Sequence, residues 1–176
     1  MSNTVFAPLT LRALAPGDLP HLLNIQLACY GPDFIESADV YARRLASAVN
    51  CSLVCERAGA VCAYLAAYRS VHGKVTPLHG EFEPSERTPD TLYLHDMAVL
   101  PAYAGQGLAQ ALLERLWEQG RAWGLRHTAL VSVQDTEGFW ARHGYVPQSL
   151  LDEEERARLA SYGAGAVYMA RPLASV

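Results

Sequence analysis

The chain has 176 residues, which is enough for one domain with a sizeable core, and 51% of them are hydrophobic. A net charge of −4, with no Lys/Arg cluster, excludes an electrostatic nucleic-acid surface. No apolar run reaches the length of a membrane span, so no membrane partner is expected.

Residues 9–14 alternate and predict a first strand. Pro16-Gly17-Asp18 breaks it, and Asp18 is placed to cap a helix running to Cys29, before Gly31-Pro32. Ser37 can cap a second helix reaching about Val49. Residues 52–56 and 61–68 predict two strands joined as a hairpin at 57–60. The stretch 70–90 holds Pro77, Pro84 and Pro89 with Gly73 and Gly80, and reads as a long irregular loop. A strand over 92–99 enters a glycine-rich turn, and the turn opens a helix reaching Trp123, with Gly124 just past its end. A strand at 130–133, a short helix stopped by Gly144, a strand from Tyr145, a polar helix from Asp152 and a strand at 167–170 complete the chain. The order suits an α/β fold with a mixed central sheet, in one domain spanning 1–176.

Cys29, Cys51, Cys55 and Cys62 lie in apolar contexts without metal-ligand spacing. They read as buried reduced thiols of a cytoplasmic protein. Residues 1–4 offer neither the basic nor the apolar region of a signal peptide. His72, His79, His127 and His143 lack a coordination pattern and His21 reads as helix surface, so no metal is expected.

The most informative segment is Gly105-Gln106-Gly107-Leu108-Ala109-Gln110 between strand and helix. The first amides of a helix lack intrahelical partners and favour an anion, and glycine lets a phosphate approach the backbone. A third glycine near Gln110 is missing, as is any Gly-Lys-Ser/Thr, which excludes the dinucleotide and triphosphate loops. Alone, such a turn would be a plain strand-to-helix connection. Here it resembles the cofactor motif Arg/Gln-x-x-Gly-x-Gly/Ala of the GNAT superfamily of acetyl-CoA-dependent N-acetyltransferases. Gly107 and Ala109 fill the last fixed positions, and Ala104 departs from Arg/Gln at the first. Phe139-Trp140-Ala141-Arg142-His143-Gly144-Tyr145 is similar to the Phe-Tyr-x-x-x-Gly-Phe of that family's closing segment. The motifs span 92–146, and the remaining elements fit the acyl-CoA N-acyltransferase fold.

The resemblance implies acetyl-CoA as cosubstrate, held in a split between the motif strand and the next parallel strand. Backbone groups of Met97, Ala98 and Val99 would hold the pantetheine arm, and the turn from Gly105 to Gln110 the pyrophosphate. A protonated amine acceptor needs a base, and His95 is the best candidate, because imidazole titrates near neutrality. Strict alternation would put His95, Met97 and Val99 on one face and Asp96 on the other. Leu-His-x-x-Ala-Val is similar to the arylalkylamine (serotonin-type) branch, although Tyr93 stands where that branch has a second histidine. A core histidine fits the spacing equally well.

Trp140 stands where many members carry a tyrosine that protonates the leaving thiolate. Indole cannot supply that proton. Trp140 then packs on the pantetheine while the thiolate leaves unassisted, or Tyr145 or Tyr103 acts instead, or the chain only binds acyl-CoA. Tyr30, Asp33 and Glu36 combine aromatic and acidic groups suited to a cationic amine, and equally suit a solvated helix entry. Glu81, Glu83, Glu86 and Asp90 could draw a polycation or form a solvated lid. The expected activity is acetylation of a small primary amine, an arylalkylamine or polyamine. A peptide acetyltransferase and a non-catalytic acyl-CoA sensor are the alternatives, and a homodimer is compatible with the family.

Overall fold

The computed structural model describes residues 7–173, so the signal-peptide reading of residues 1–4 lies outside the described residues. The elements are β1 (Leu9–Ala13), α1 (Leu19–Cys29), α2 (Ala38–Ala46), β2 (Leu53–Arg57), β3 (Ala60–Ser70), β4 (Thr91–Val99), α3 (Leu108–Ala122), β5 (His127–Ser132), α4 (Glu137–Arg142), β6 (Val146–Pro147), α5 (Glu153–Ala160) and β7 (Val167–Pro172). The strands form one sheet in the order β1-β2-β3-β4-β5-β7-β6. Among the described residues only β4 and β5 pair in parallel, and α3 is the crossover between them.

Helices α1 and α2 cover one face, over Leu22, Ile25, Tyr41, Tyr64, Tyr68 and Tyr93. Helix α3 covers the other, where Leu112, Leu113 and Leu116 meet Leu65, Leu92 and Leu94. The fully buried strands explain why β3 reads as a nearly continuous apolar run.

Local chemistry sets the element ends. Ser37 accepts a hydrogen bond from the Val40 N–H and starts α2 as expected, but the helix ends at Ala46, short of Val49. Asp18 does not cap α1 with its side chain. Its carboxylate instead accepts two hydrogen bonds from Arg12, at 2.7 and 2.8 Å, and one from the Ala15 N–H. A guanidinium fork offers two charged donors, more than a helix terminus can.

The largest departure from the expected pattern lies in β4. Asp96 pairs with Ala66 and Leu94 with Ala67, so His95 is an extra residue without a partner on β3. Such a β-bulge breaks strict alternation. Tyr93 and Ala98 belong to the α1/α2 face, while Leu92, Leu94, Met97 and Val99 belong to the α3 face. His95 and Asp96 both make their contacts on the α1/α2 side, with Glu36, Tyr30 and Tyr41. The expected grouping of His95 with Met97 and Val99 is therefore corrected.

The loop between β3 and β4 is anchored. Phe82 is buried and stacks on Tyr68 with ring centroids 4.5 Å apart. Ser47 donates to the Phe82 carbonyl, Arg43 pairs with Glu81, and Asp90 accepts from Arg126. Of the cysteines, Cys55 and Cys62 are buried as expected, but Cys29 is exposed.

Candidate active site

Pairing of β4 with β5 runs from Thr91 and His127 to Leu94 and Leu130, and stops where the bulge begins. Beyond it β4 continues to Val99 beside β3, while β5 continues to Ser132 beside β7. The strands thus diverge, and a cavity of about 120 Å³ opens between them. Leu94, His95, Asp96 and Met97 line one side, and Leu130, Val131, Thr136 and Trp140 the other.

At the same end of the sheet, the glycine turn leads into α3. Gly105 and Gly107 have φ of +73° and +79°, the left-handed region, and Gly107 occupies the position before the helix. A Cβ on either glycine would meet nothing within 4 Å, so the backbone is open to an approaching group. No acceptor in the described residues meets the N–H groups from Gly105 to Gln110; the first helical bond in this stretch runs from Ala111 to Gly107. Six consecutive donors at a helix start fit a pyrophosphate. Leu108 itself is buried, and anchors α3 from below the turn.

The edge of β4 facing the split alternates as well. Leu100 bonds Cys62 on β3, which turns the backbone of Ala98 toward β3 and those of Met97 and Val99 toward the split. The Val99 carbonyl accepts from Cys29 Sγ at 3.1 Å, and the Tyr30 hydroxyl, whose one proton is shared with Asp96, lies against the Met97 carbonyl.

His95 faces a buried charge cluster. Its Nε2 lies 3.0 Å from Glu36 Oε2, and its side chain is 2% exposed. The Glu36 carboxylate also takes both arms of the Arg44 guanidinium at 2.6 Å and the His79 N–H at 2.8 Å. Burial alone would raise the Glu36 carboxyl, but His95 and Arg44 outweigh it and hold it far below its usual range. Its partner Arg44 also donates to the Gly80 carbonyl and packs over the Tyr41 and Phe82 rings. The other ring nitrogen of His95, Nδ1, lies 3.4 Å from the Tyr162 hydroxyl.

Asp96, next along the bulge, is surrounded by hydroxyls. Tyr30 Oη lies 2.6 Å from both Asp96 Oδ1 and the Met97 carbonyl. Tyr41 donates to Oδ2 at 2.6 Å, and Tyr64 donates to the same oxygen. Burial first, and then the Asp96 charge, push all three phenols well above their ordinary range, so they remain donors.

The remaining expectations divide. Tyr30 and Trp140 line the cavity. Asp33 is exposed and is not among its lining residues, whereas its neighbour Phe34 is. Glu36 lines the cavity, but Arg44 and His95 already match its charge. Tyr145 points into the core, between Thr128 and the Trp117 indole, and Tyr103 is also absent from the cavity lining. Asp96, Tyr162, Thr136 and Gln134 were not anticipated from the sequence, and all four line the cavity. Gln134 and Asp135 adopt left-handed φ of +51° and +59°, an unusual pair for non-glycine residues, where the chain leaves β5 for α4.

The model of the acetyltransferase (GNAT) family matches residues 19–145. No curated protein matches the sequence significantly. Among solved structures, the ribosomal-protein-S18-alanine N-acetyltransferase of Escherichia coli is similar with a TM-score of 0.70 and 19% identity, over 96% of each chain. The GNAT family N-acetyltransferase YhbS of Escherichia coli, in complex with CoA, gives 0.64 and 17%, over 99% of this chain and 86% of that one. A GNAT family acetyltransferase of Brucella melitensis, in complex with acetyl-CoA, gives 0.57 and 24%, over 79% and 83%. These likenesses carry the fold, and the family match spans the diverging strands and the glycine turn together. The chain belongs to the acetyltransferase (GNAT) family, as an acetyl-CoA-dependent N-acetyltransferase with that family's mixed α/β fold.

Proposed function

We propose that the chain acetylates a small primary amine, with an arylalkylamine or polyamine preferred over a peptide. The observation that carries this reading is the loop segment anchored beside the acceptor end of the cavity, which places Leu78 in its wall. Residues 76–80 of the loop are tied down there: Leu78 N–H donates to Ser161, Tyr162 donates to the Thr76 carbonyl, and Arg44 holds the Gly80 carbonyl. A peptide chain needs a long open groove, whereas a short amine with an apolar body fits a small cavity walled by Phe34, Leu78 and Tyr162.

Bound acetyl-CoA supplies an acetyl group activated as a thioester. The amides of Gly105, Gln106, Gly107, Leu108, Ala109 and Gln110 hold its pyrophosphate, and the backbone of Met97 and Val99 holds the pantetheine arm. Trp140 packs against that arm and gives up no proton, so the thiolate leaves unassisted. A thiol pKa near ~8.5 makes this tolerable. An alkylammonium must lose its proton before its nitrogen can attack. His95 Nδ1 accepts it, while Glu36 fixes the tautomer through Nε2–H and stabilises the imidazolium that forms. Tyr30 shapes the entry. The test is acetylation of phenethylamine, tryptamine and spermidine against a short peptide with a free N-terminus. Preference for the peptide would refute the reading.

A further inference from the structure

The cavity holds two carboxylates in different charge states of pairing. Glu36 is matched by Arg44 and His95. Asp96 is not: among the described residues its partners are the hydroxyls of Tyr30, Tyr41 and Tyr64, and no cationic group lies within ion-pair distance of it. Three neutral donors replace the water that the carboxylate loses on partial burial, yet they bring no opposing charge. A structural carboxylate in such a position is ordinarily met by a cation. This one instead faces a cavity whose walls include the rings of Tyr30, Phe34, Trp140 and Tyr162. A carboxylate among aromatic faces is the chemistry that binds an organic ammonium ion.

We infer that Asp96 captures the acceptor amine as its ammonium ion, so that the enzyme selects strongly basic alkylamines and discriminates against weakly basic arylamines. This deepens the reading above and rests on it. The bulge supplies the geometry. It brings Asp96 and His95 to the same side of β4 in consecutive positions, so an ammonium held at Asp96 lies beside the group that removes its proton. The arrangement uses the abundant species. Near pH 7.5 only about one alkylamine in a thousand is neutral, given a pKa near ~10.4. A site selecting the neutral form would draw on that small fraction, whereas a site for the ammonium draws on nearly all of it.

Benzylamine and 4-methylaniline test this, because they are isomers of similar size and only the first is a cation near pH 7.5. The ratio of their kcat/KM values is expected to favour benzylamine, and to fall roughly 10-fold or more in Asp96→Asn, the loss expected when one hydrogen bond to a charge is removed. A ratio that stays constant in Asp96→Asn overturns the proposal. Binding of benzyltrimethylammonium, which cannot react, gives a readout without turnover. Calorimetry is expected to show it binding wild type at least 10-fold more tightly than benzyl alcohol, and this comparison needs no variant to fold. Equal affinities overturn the proposal. Tight binding of the cation without acetylation of any amine would instead refute the small-amine reading and leave the Asp96 site standing.

Discussion

Glu36→Gln is the substitution whose consequences follow most directly from the structure. Glu36 and Arg44 have side-chain exposures of 3% and 1%, and their two hydrogen bonds are each 2.6 Å. The change removes the charge while keeping the shape. It turns an amide toward Arg44, whose guanidinium can only donate, and leaves that cation buried without a counter-charge. Breaking a buried pair in this way costs about 3–5 kcal/mol. For a 176-residue chain, each kcal/mol moves the melting temperature by about 2–4 °C, so Tm falls by roughly 6–20 °C. The same change releases His95 Nε2, and a misaligned base forfeits part of the roughly 10²–10⁴-fold that general-base catalysis supplies. Thermal unfolding by circular dichroism and kcat with saturating amine read the two effects. Replacing Glu36 and Arg44 together by leucine separates them: stability recovers in part, because two matched charges leave together while the His79 N–H and the Gly80 carbonyl lose their partners, but activity does not. A single Gln variant that melts within 2 °C of wild type, with wild-type kcat, would refute the reasoning.

Three further outcomes follow from the same geometry. Gly107→Val places a branched side chain at φ +79° beside the free amides, and should raise the Kd for acetyl-CoA by at least roughly 10-fold in calorimetry. Trp140→Tyr should change kcat by no more than a few-fold, because the thiolate already departs unassisted; a gain on the ~10²-fold scale of general-acid catalysis would contradict this. The Glu36 carboxyl is depressed in the fold, so its contribution is present above about 4.5, its ordinary value, and is lost as pH falls toward the folded value. Acid unfolding of Glu36→Gln should accordingly depend less on pH below that point than unfolding of wild type.

The legible part of this chain was the part written in local pattern. Gly105 and Gly107 announce the turn because only glycine adopts their left-handed backbone freely. Ser37 announces α2, and Trp123-Gly124 the end of α3. The site's acceptor half was not legible for two reasons. A bulge adds one residue without needing glycine or proline, so nothing in His95-Asp96-Met97 signals that His95 and Asp96 share a side. The partners are also distant in sequence: Tyr30, Tyr41 and Tyr64 come from α1's end, α2 and β3 to meet Asp96, and Tyr162 comes from beyond α5. Pairing of Glu36 with Arg44 depends on where α2 begins relative to the strand face, which composition does not encode. Asp33 and Glu36 read alike in the sequence, and only the packing of Phe34 and Gln26 around that segment sends one carboxylate outward and the other in.

The most direct test of the central claim is free-thiol release from acetyl-CoA by the purified protein, offered phenethylamine, tryptamine, spermidine and a short peptide in parallel. The account predicts release with at least one small alkylamine, exceeding that with the peptide, and its loss in His95→Ala. Acetyl-CoA binding without thiol release from any small amine, or release with the peptide alone, would contradict it.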